Sequence, residues 1–208
     1  LLTFALGLRY APPTAMIIRQ FAATLLSLSL VFIVGDLMRD PRILRRLVLV
    51  VIVSVGAQAL ITIGLYILPD DTAATILNAL GRIGYPVGGV IRYIESNPAL
   101  AERAVGTWID PNSLGGLLAI SSVMIAPQVF ARRPVLRYRR FTVIVLGLVV
   151  LALILTFSRA SALAFGIGMV VIALTRYRRF IPVLIFAGLL FLLLPQTQSY
   201  IERFTAAF

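Results

Sequence analysis

No cysteine, histidine or lysine occurs in this 208-residue chain. Without cysteine there is no disulfide, no thiolate metal ligand and no thiol nucleophile. Without histidine the commonest zinc ligand and the commonest general base are missing as well. Charge is scarce too: charged residues make up 13% of the chain, against about 25% in a soluble domain. What is abundant is apolar, with 60% hydrophobic residues and a mean hydropathy of +1.00. That balance excludes a water-soluble enzyme and a disordered chain. All 19 basic residues are Arg, set against 8 acidic ones, for a net charge of +11. In a soluble protein such an excess points to nucleic acid. Here the arginines lie between long apolar runs, so the partner is membrane lipid and not nucleic acid.

About 20 apolar residues in a helix cross a hydrocarbon core of roughly 30 Å. Six stretches approach that length: 15–38, 43–68, 114–130, 141–157, 160–175 and 180–194. The opening run 1–8 reads as the end of a seventh span. The chain starts on Leu1 without a charged leader region, so it reads as a piece of a longer polytopic protein and not as a signal peptide. The apolar run between Arg140 and Arg176 is nearly continuous. As a single helix it would be roughly 50 Å long, too long for one crossing. Folding back at Thr156-Phe157-Ser158-Arg159 gives two short spans and leaves Arg159 at a headgroup-level turn, where its charge is tolerated.

The loops 39–46, 132–140 and 176–179 carry four, five and three Arg. With six spans all three fall on one side, which the positive-inside rule makes cytoplasmic. The opposite side receives the 9–14 loop, the long 69–112 segment, the Ser158-Arg159 turn and the tail beyond Leu194. Six of the eight acidic residues fall there: Asp70, Asp71, Glu95, Glu102, Asp110 and Glu202. The expected fold is an all-α polytopic membrane domain over residues 1–208, with 69–112 as an external loop and 196–208 opening a second one. Within 69–112, Asp71 or Thr72 can cap a short helix running to Leu80 and ended by Gly81. Residues 90–94 and 103–109 read as a hairpin. Tyr93 and Trp108 suit the membrane interface.

Most polar residues have a structural reading. The cytoplasmic arginines set topology. Asp110-Pro111 is a helix start, with Asp as N-cap and Pro in the first turn. Gly115-Gly116 and Gly166/Gly168 allow close helix approach, and Ser54, Gln58 and Thr62 can bond between helices. The exceptions sit on the outer side. Arg159 stands at the turn beside Ser158, and Arg103 lies ahead of Gly106-Thr107-Trp108. Either could meet an anionic lipid headgroup nonspecifically, or hold a diphosphate through bidentate hydrogen bonds.

These residues carry a resemblance. Arg103-Ala-Val-Gly106-Thr107-Trp108-Ile-Asp110-Pro111-Asn112-Ser-Leu-Gly-Gly resembles the R-x-x-G-T-F-x-x-P-N-x-x-A stretch of the O-antigen ligase and polymerase superfamily. Further along, Leu155-Thr156-Phe157-Ser158-Arg159-Ala160-Ser161-Ala162-Leu163-Ala164 resembles that family's T-x-S-R-G/A-x-x-L-A turn. The two motifs come in the family's order, and Tyr200-Ile-Glu-Arg203-Phe204 is similar to the beginning of its large external loop. The likeness in motif covers Arg103 to Phe208.

The resemblance implies a membrane glycosyltransferase of the C-type fold in cell-envelope polysaccharide assembly. Such an enzyme moves a glycan from an undecaprenyl-diphosphate carrier to a glycan, lipid or protein acceptor on the outer face of the bacterial inner membrane. It implies substrate-binding roles for Arg159, which would engage the donor diphosphate, and for Arg103, Asn112 and Ser158. It implies no metal and no cofactor, since fixed guanidinium groups can stabilise the departing diphosphate. The general base is expected in the family's large loop, beyond residue 208, so this stretch is expected to be catalytically incomplete. A transporter or flippase is the rival class, but ionisable residues near mid-span, its usual mark, are essentially lacking. A structural subunit without a site would not need the ordered motif pair.

Overall fold

The computed structural model describes residues 14–131, 134, 139–178, 181, 182, 185 and 188. The runs 1–8 and 180–194, the tail that follows, and most of the 132–140 loop therefore lie largely or wholly outside the described residues. The described part is mostly helical. Its helices are α1 (Ala15–Leu37), α2 (Pro41–Ile67), α3 (Asp70–Ala79), α4 (Pro111–Phe130), α5 (Arg139–Leu155) and α6 (Arg159–Thr175). Of these, α1, α2 and α4 are long and apolar enough to cross a membrane. Helices α5 and α6 have 17 residues each, a length of about 25 Å. The break expected at Thr156-Phe157-Ser158 separates them.

The chain divides into two compact units, Leu1–Val48 and Leu49–Phe208. In the first, Thr14 caps α1, its hydroxyl accepting from the Ile17 amide at 3.3 Å. No residue of α1 is buried. A helix that is apolar all round and unburied has the composition of a membrane span. At the following turn the Asp40 carboxylate accepts from the Arg42 amide at 2.8 Å, and Pro41 opens α2 with the fixed φ that a first helical turn requires.

In the second unit α4 is the central helix and packs on both α5 and α6. Small residues set the approach. A Cβ on Gly115 would meet Ser161 Oγ at 2.7 Å, and one on Gly168 would strike Val123. Gly116 and Gly166 have nothing within 4 Å, so of the four glycines expected at helix contacts only two serve there. Gly56 brings α2 against Val145 of α5 in the same way.

The long connection between α2 and α4 folds over one end of this unit. Helix α3 begins at Asp70 with Pro69 in the N-cap position and no side-chain cap, which corrects the expected Asp71 or Thr72 cap. Proline pre-sets the entry geometry, and the two carboxylates fall inside the first turn, where the helix dipole favours them. Nor does Gly81 end the helix: the chain continues as a 3-10 turn over Leu80–Ile83 and stops at Gly84, whose φ is +87°. Leu77, Val90 and Val105 form a buried cluster, flanked by Leu65 of α2 and by Leu80 and Tyr85. The hairpin is present but shorter than expected. Strand β1 (Arg92–Tyr93) pairs antiparallel with β2 (Glu102–Arg103), Arg92 opposite Arg103 and Tyr93 opposite Glu102. The ladder ends there because the Ala104 amide donates to the Leu155 carbonyl of α5 instead, and Gly106 turns the backbone into the left-handed region at φ +53°.

Candidate functional site

The end of the second unit gathers four chain segments: the hairpin, the start of α4, the end of α5 and the start of α6. Asp110 organises the first of these junctions. Its carboxylate accepts from the Asn112 amide at 3.2 Å, the Ser113 amide at 2.9 Å and the Ser113 hydroxyl at 2.8 Å. Partial burial opposes its charge, but those hydrogen bonds and the nearby Arg103 hold the carboxyl below the usual range. This is an N-cap already satisfied by the helix it starts, as the Asp-Pro pair foretells.

Asn112, in the first turn of α4, is thereby fixed with its side chain toward Arg103. Arg103 Nη2 donates to Asn112 Oδ1 at 2.8 Å, and Arg103 Nε donates to the Thr156 carbonyl at 2.9 Å. The guanidinium thus ties β2 to α4 and to the end of α5. The Thr156 hydroxyl donates to the Leu153 carbonyl at 2.7 Å and accepts from the Ser158 amide at 3.3 Å. These bonds shape the turn that lifts Arg159 to the head of α6. Phe157 within that turn has φ +49°, a left-handed conformation that a bulky residue adopts only when its surroundings impose it.

These elements enclose a cleft of about 250 Å³ lined by Ile94, Glu95, Arg103, Asn112, Phe157, Arg159 and Ala160. Three of the four expected site residues, Arg103, Asn112 and Arg159, therefore share one cleft. Ser158 does not line it. It is 4% exposed, and its hydroxyl lies 2.8 Å from that of Ser161. Ser161 in turn donates to the Asn112 carbonyl at 3.5 Å. Ser158 stands behind the cleft, against the α4–α6 contact at Gly115.

Sequence reasoning missed Glu95. It lines the cleft between Ile94 and the arginines, in a bend where Glu95 and Ser96 have φ of +53° and +56°. The available signal was the turn-forming Ser96-Asn97-Pro98 that follows it. Gln58 has a different role from the expected one. Its Oε1 accepts from the Thr107 hydroxyl at 2.9 Å, so it anchors the loop instead of a neighbouring helix. Thr62 donates to the Gln58 carbonyl at 2.8 Å within α2.

On the other face of the hairpin, burial and Asp70 push the Glu102 carboxyl up to about 7. The Tyr93 hydroxyl donates to Asp70, which raises the phenol above its ordinary value. Among the described residues no group of His, Cys, Asp and Glu could hold a metal ion. Two guanidinium groups, a side-chain amide and the start of α6, which lacks a side-chain cap, offer donors to an anion with several oxygens, against the one carboxylate of Glu95 in the same lining. No family model, no curated protein and no solved structure matches the chain.

Proposed function

We propose that this chain is the donor-binding part of a membrane glycosyltransferase of the O-antigen ligase or polymerase type. It takes a glycan from an undecaprenyl-diphosphate carrier and passes it to an acceptor on the outer face of the bacterial inner membrane. In this reading five of the six apolar runs, α1, α2, α4, α5 and α6, and the run 180–194 are spans, and the arginine-rich loops face the cytoplasm.

One observation carries the reading: Arg103, Asn112 and Arg159, drawn from two motifs far apart in sequence, line the same cleft. A diphosphate leaving an anomeric carbon gathers negative charge on its bridging oxygen. Guanidinium groups already fixed in place stabilise that charge without reorganising. Arg103 is fixed by Asn112 and Thr156, and Arg159 is placed by the turn before α6. The apolar helices around the cleft suit a polyprenyl chain, whose length keeps it in the bilayer.

The test is Arg159→Ala in the full-length protein. Membrane insertion should be unchanged, while binding of farnesyl diphosphate, read by isothermal titration calorimetry, and glycan transfer should both be lost. Transfer at the wild-type rate would overturn the proposal.

A further inference from the structure

The turn that leads into α4 leaves two large apolar side chains uncovered. Trp108 is 40% exposed and Ile109 51% exposed, directly ahead of the Asp110 cap. Their backbone is nonetheless held. The Trp108 amide donates to the Val105 carbonyl at 2.9 Å, and its carbonyl accepts from the Tyr85 hydroxyl at 3.2 Å. The Thr107 hydroxyl donates to Gln58 Oε1 at 2.9 Å, a contact that also fixes the depth of the turn. Gln58 lies nine residues before the end of α2 at Ile67, or about 14 Å down the helix. With 27 residues, α2 is about 40 Å long and exceeds a hydrocarbon core of roughly 30 Å by about 10 Å. With α2 read as a span, Gln58 stays inside the core even if all of that excess stands on this side. Helix α4, with 20 residues, matches the core at about 30 Å, so its first turn stands at the boundary. Two separate helices therefore put Trp108 and Ile109 where acyl chains meet headgroups.

We propose that Trp108 and Ile109 form a docking edge for the lipid leaflet beside them, inserting at the acyl–headgroup boundary. The inference rests on the reading of α2 and α4 as spans and is independent of glycan transfer. An indole suits that level, because its ring is apolar while its N–H can reach water or a lipid ester. Tyr93, the loop's other interfacial candidate, has different surroundings. Its hydroxyl donates to Asp70, and the charges of Asp71 and Glu102 act on it, so that side of the loop belongs in water. The loop is thus two-sided, with carboxylates toward water and the Trp108-Ile109 edge toward lipid. Trp108 follows Arg103 by five residues and precedes Asn112 by four, and both of these line the cleft. The docked edge holds the cleft near the lipid phosphates, where a lipid-borne anion reaches it without leaving the bilayer.

The test uses the full-length protein reconstituted in phosphatidylcholine vesicles, beside a Trp108→Phe variant. The difference between their emission spectra isolates Trp108. Where the lipids are brominated near the headgroup end of the acyl chains, that emission should lose most of its intensity. Bromine near the methyl ends should quench it less, and aqueous iodide on both sides of the membrane least. Ile109→Trp, compared with the wild type, adds an indole that should follow the same order. Strong quenching by iodide with none by brominated lipid would overturn the proposal, leaving the edge in water. Quenching by none of the three would overturn it as well, since protein would then cover the edge. Strongest quenching by methyl-end bromine would do the same, by sinking the edge into the core. An alkaline carbonate wash separates the two failures. Protein that washes off strikes the span reading and the proposal together, whereas retained protein with an iodide-quenched Trp108 strikes the docking edge alone.

Discussion

Arg103 and Asn112 are joined by a 2.8 Å hydrogen bond from Nη2 to Oδ1, across the gap between the hairpin and the first turn of α4. The bond fixes the guanidinium plane that faces the cleft, and Asn112 is itself held by the Asp110 cap. Asn112→Ala keeps the cap and removes the acceptor. A hydrogen bond to a charged group is worth about 1.5–3 kcal/mol. The expected result is a farnesyl diphosphate affinity at least about tenfold weaker, with thermal unfolding little changed. Asn112→Asp should also weaken binding, through the added negative charge beside Arg103. Unchanged affinity in both variants would remove Asn112 from the site.

Gly106 turns the chain where a side chain would collide with α2. Its φ is +53°, and an added Cβ would lie 2.7 Å from Gln58 Nε2 and closer still to Thr62 Oγ1. Gly106→Ala therefore combines backbone strain with a collision against α2. It should destabilise the detergent-solubilised protein by about 2 kcal/mol or more, read as a lowered Tm. A Tm equal to that of the wild type would mean that the loop does not seat on Gln58 and Thr62.

Glu102 gives a pH dependence of definite sign. Its carboxyl is raised to about 7 by burial and by Asp70, above the value near 4.5 of an unfolded chain. The folded protein thus holds a proton there that the unfolded chain has lost. Stability from this group is complete below the lower value and is lost as pH rises toward and through 7. Partial exposure makes the effect small. Glu102→Gln should flatten the fall in Tm between pH 5 and pH 8, and a slope identical to wild type would assign the dependence to another group.

The helices were legible in the sequence because their signals are local. Apolar length marked α1, α2 and α4, and Asp110-Pro111 announced the start of α4. The Thr156-Phe157-Ser158 break followed from the length of the apolar run and from the charge of Arg159 within it. The loop was read less well because long-range bonds decide its shape. Residues 103–109 have strand-like composition, yet the Ala104 amide finds the Leu155 carbonyl, and Gly106 must turn to clear Thr62. Arg103, Asn112 and Arg159 were visible as motif residues. Glu95 was not, since its place depends on the hairpin folding back across from Arg103. Ser158 shared a motif with Arg159 but packs on Ser161, a partner that only the α4–α6 contact supplies.

The orientation can be read by labelling, since the chain has no native cysteine. Ser158 would be a poor reporter because it is buried. Val87, in the long loop and 71% exposed, is a good one. Val87→Cys should react with an impermeant maleimide on intact spheroplasts, whereas Arg42→Cys should react only after permeabilisation. The reverse pattern would place the cleft on the cytoplasmic face and exclude transfer at the outer surface.

Gly115 and Gly116 are adjacent on α4 but face different surroundings. A Cβ at Gly115 would meet Ser161 Oγ at 2.7 Å and Ser158 Cβ at 3.0 Å, whereas at Gly116 nothing lies within 4 Å. The first contact is where α4 meets α6 directly behind the cleft, with the Ser161 hydroxyl donating to the Asn112 carbonyl. Gly115→Ala must push the two helix starts apart, and with them Asn112 and Arg159. Overpacking of this kind typically costs about 1–3 kcal/mol. Gly115→Ala should therefore lower Tm and weaken farnesyl diphosphate binding together. Gly116→Ala should leave both near wild type, because alanine suits a helix better than glycine and the space is open. Equal behaviour of the two variants would mean that the separation of α4 and α6 does not set the distance between the donor-binding residues.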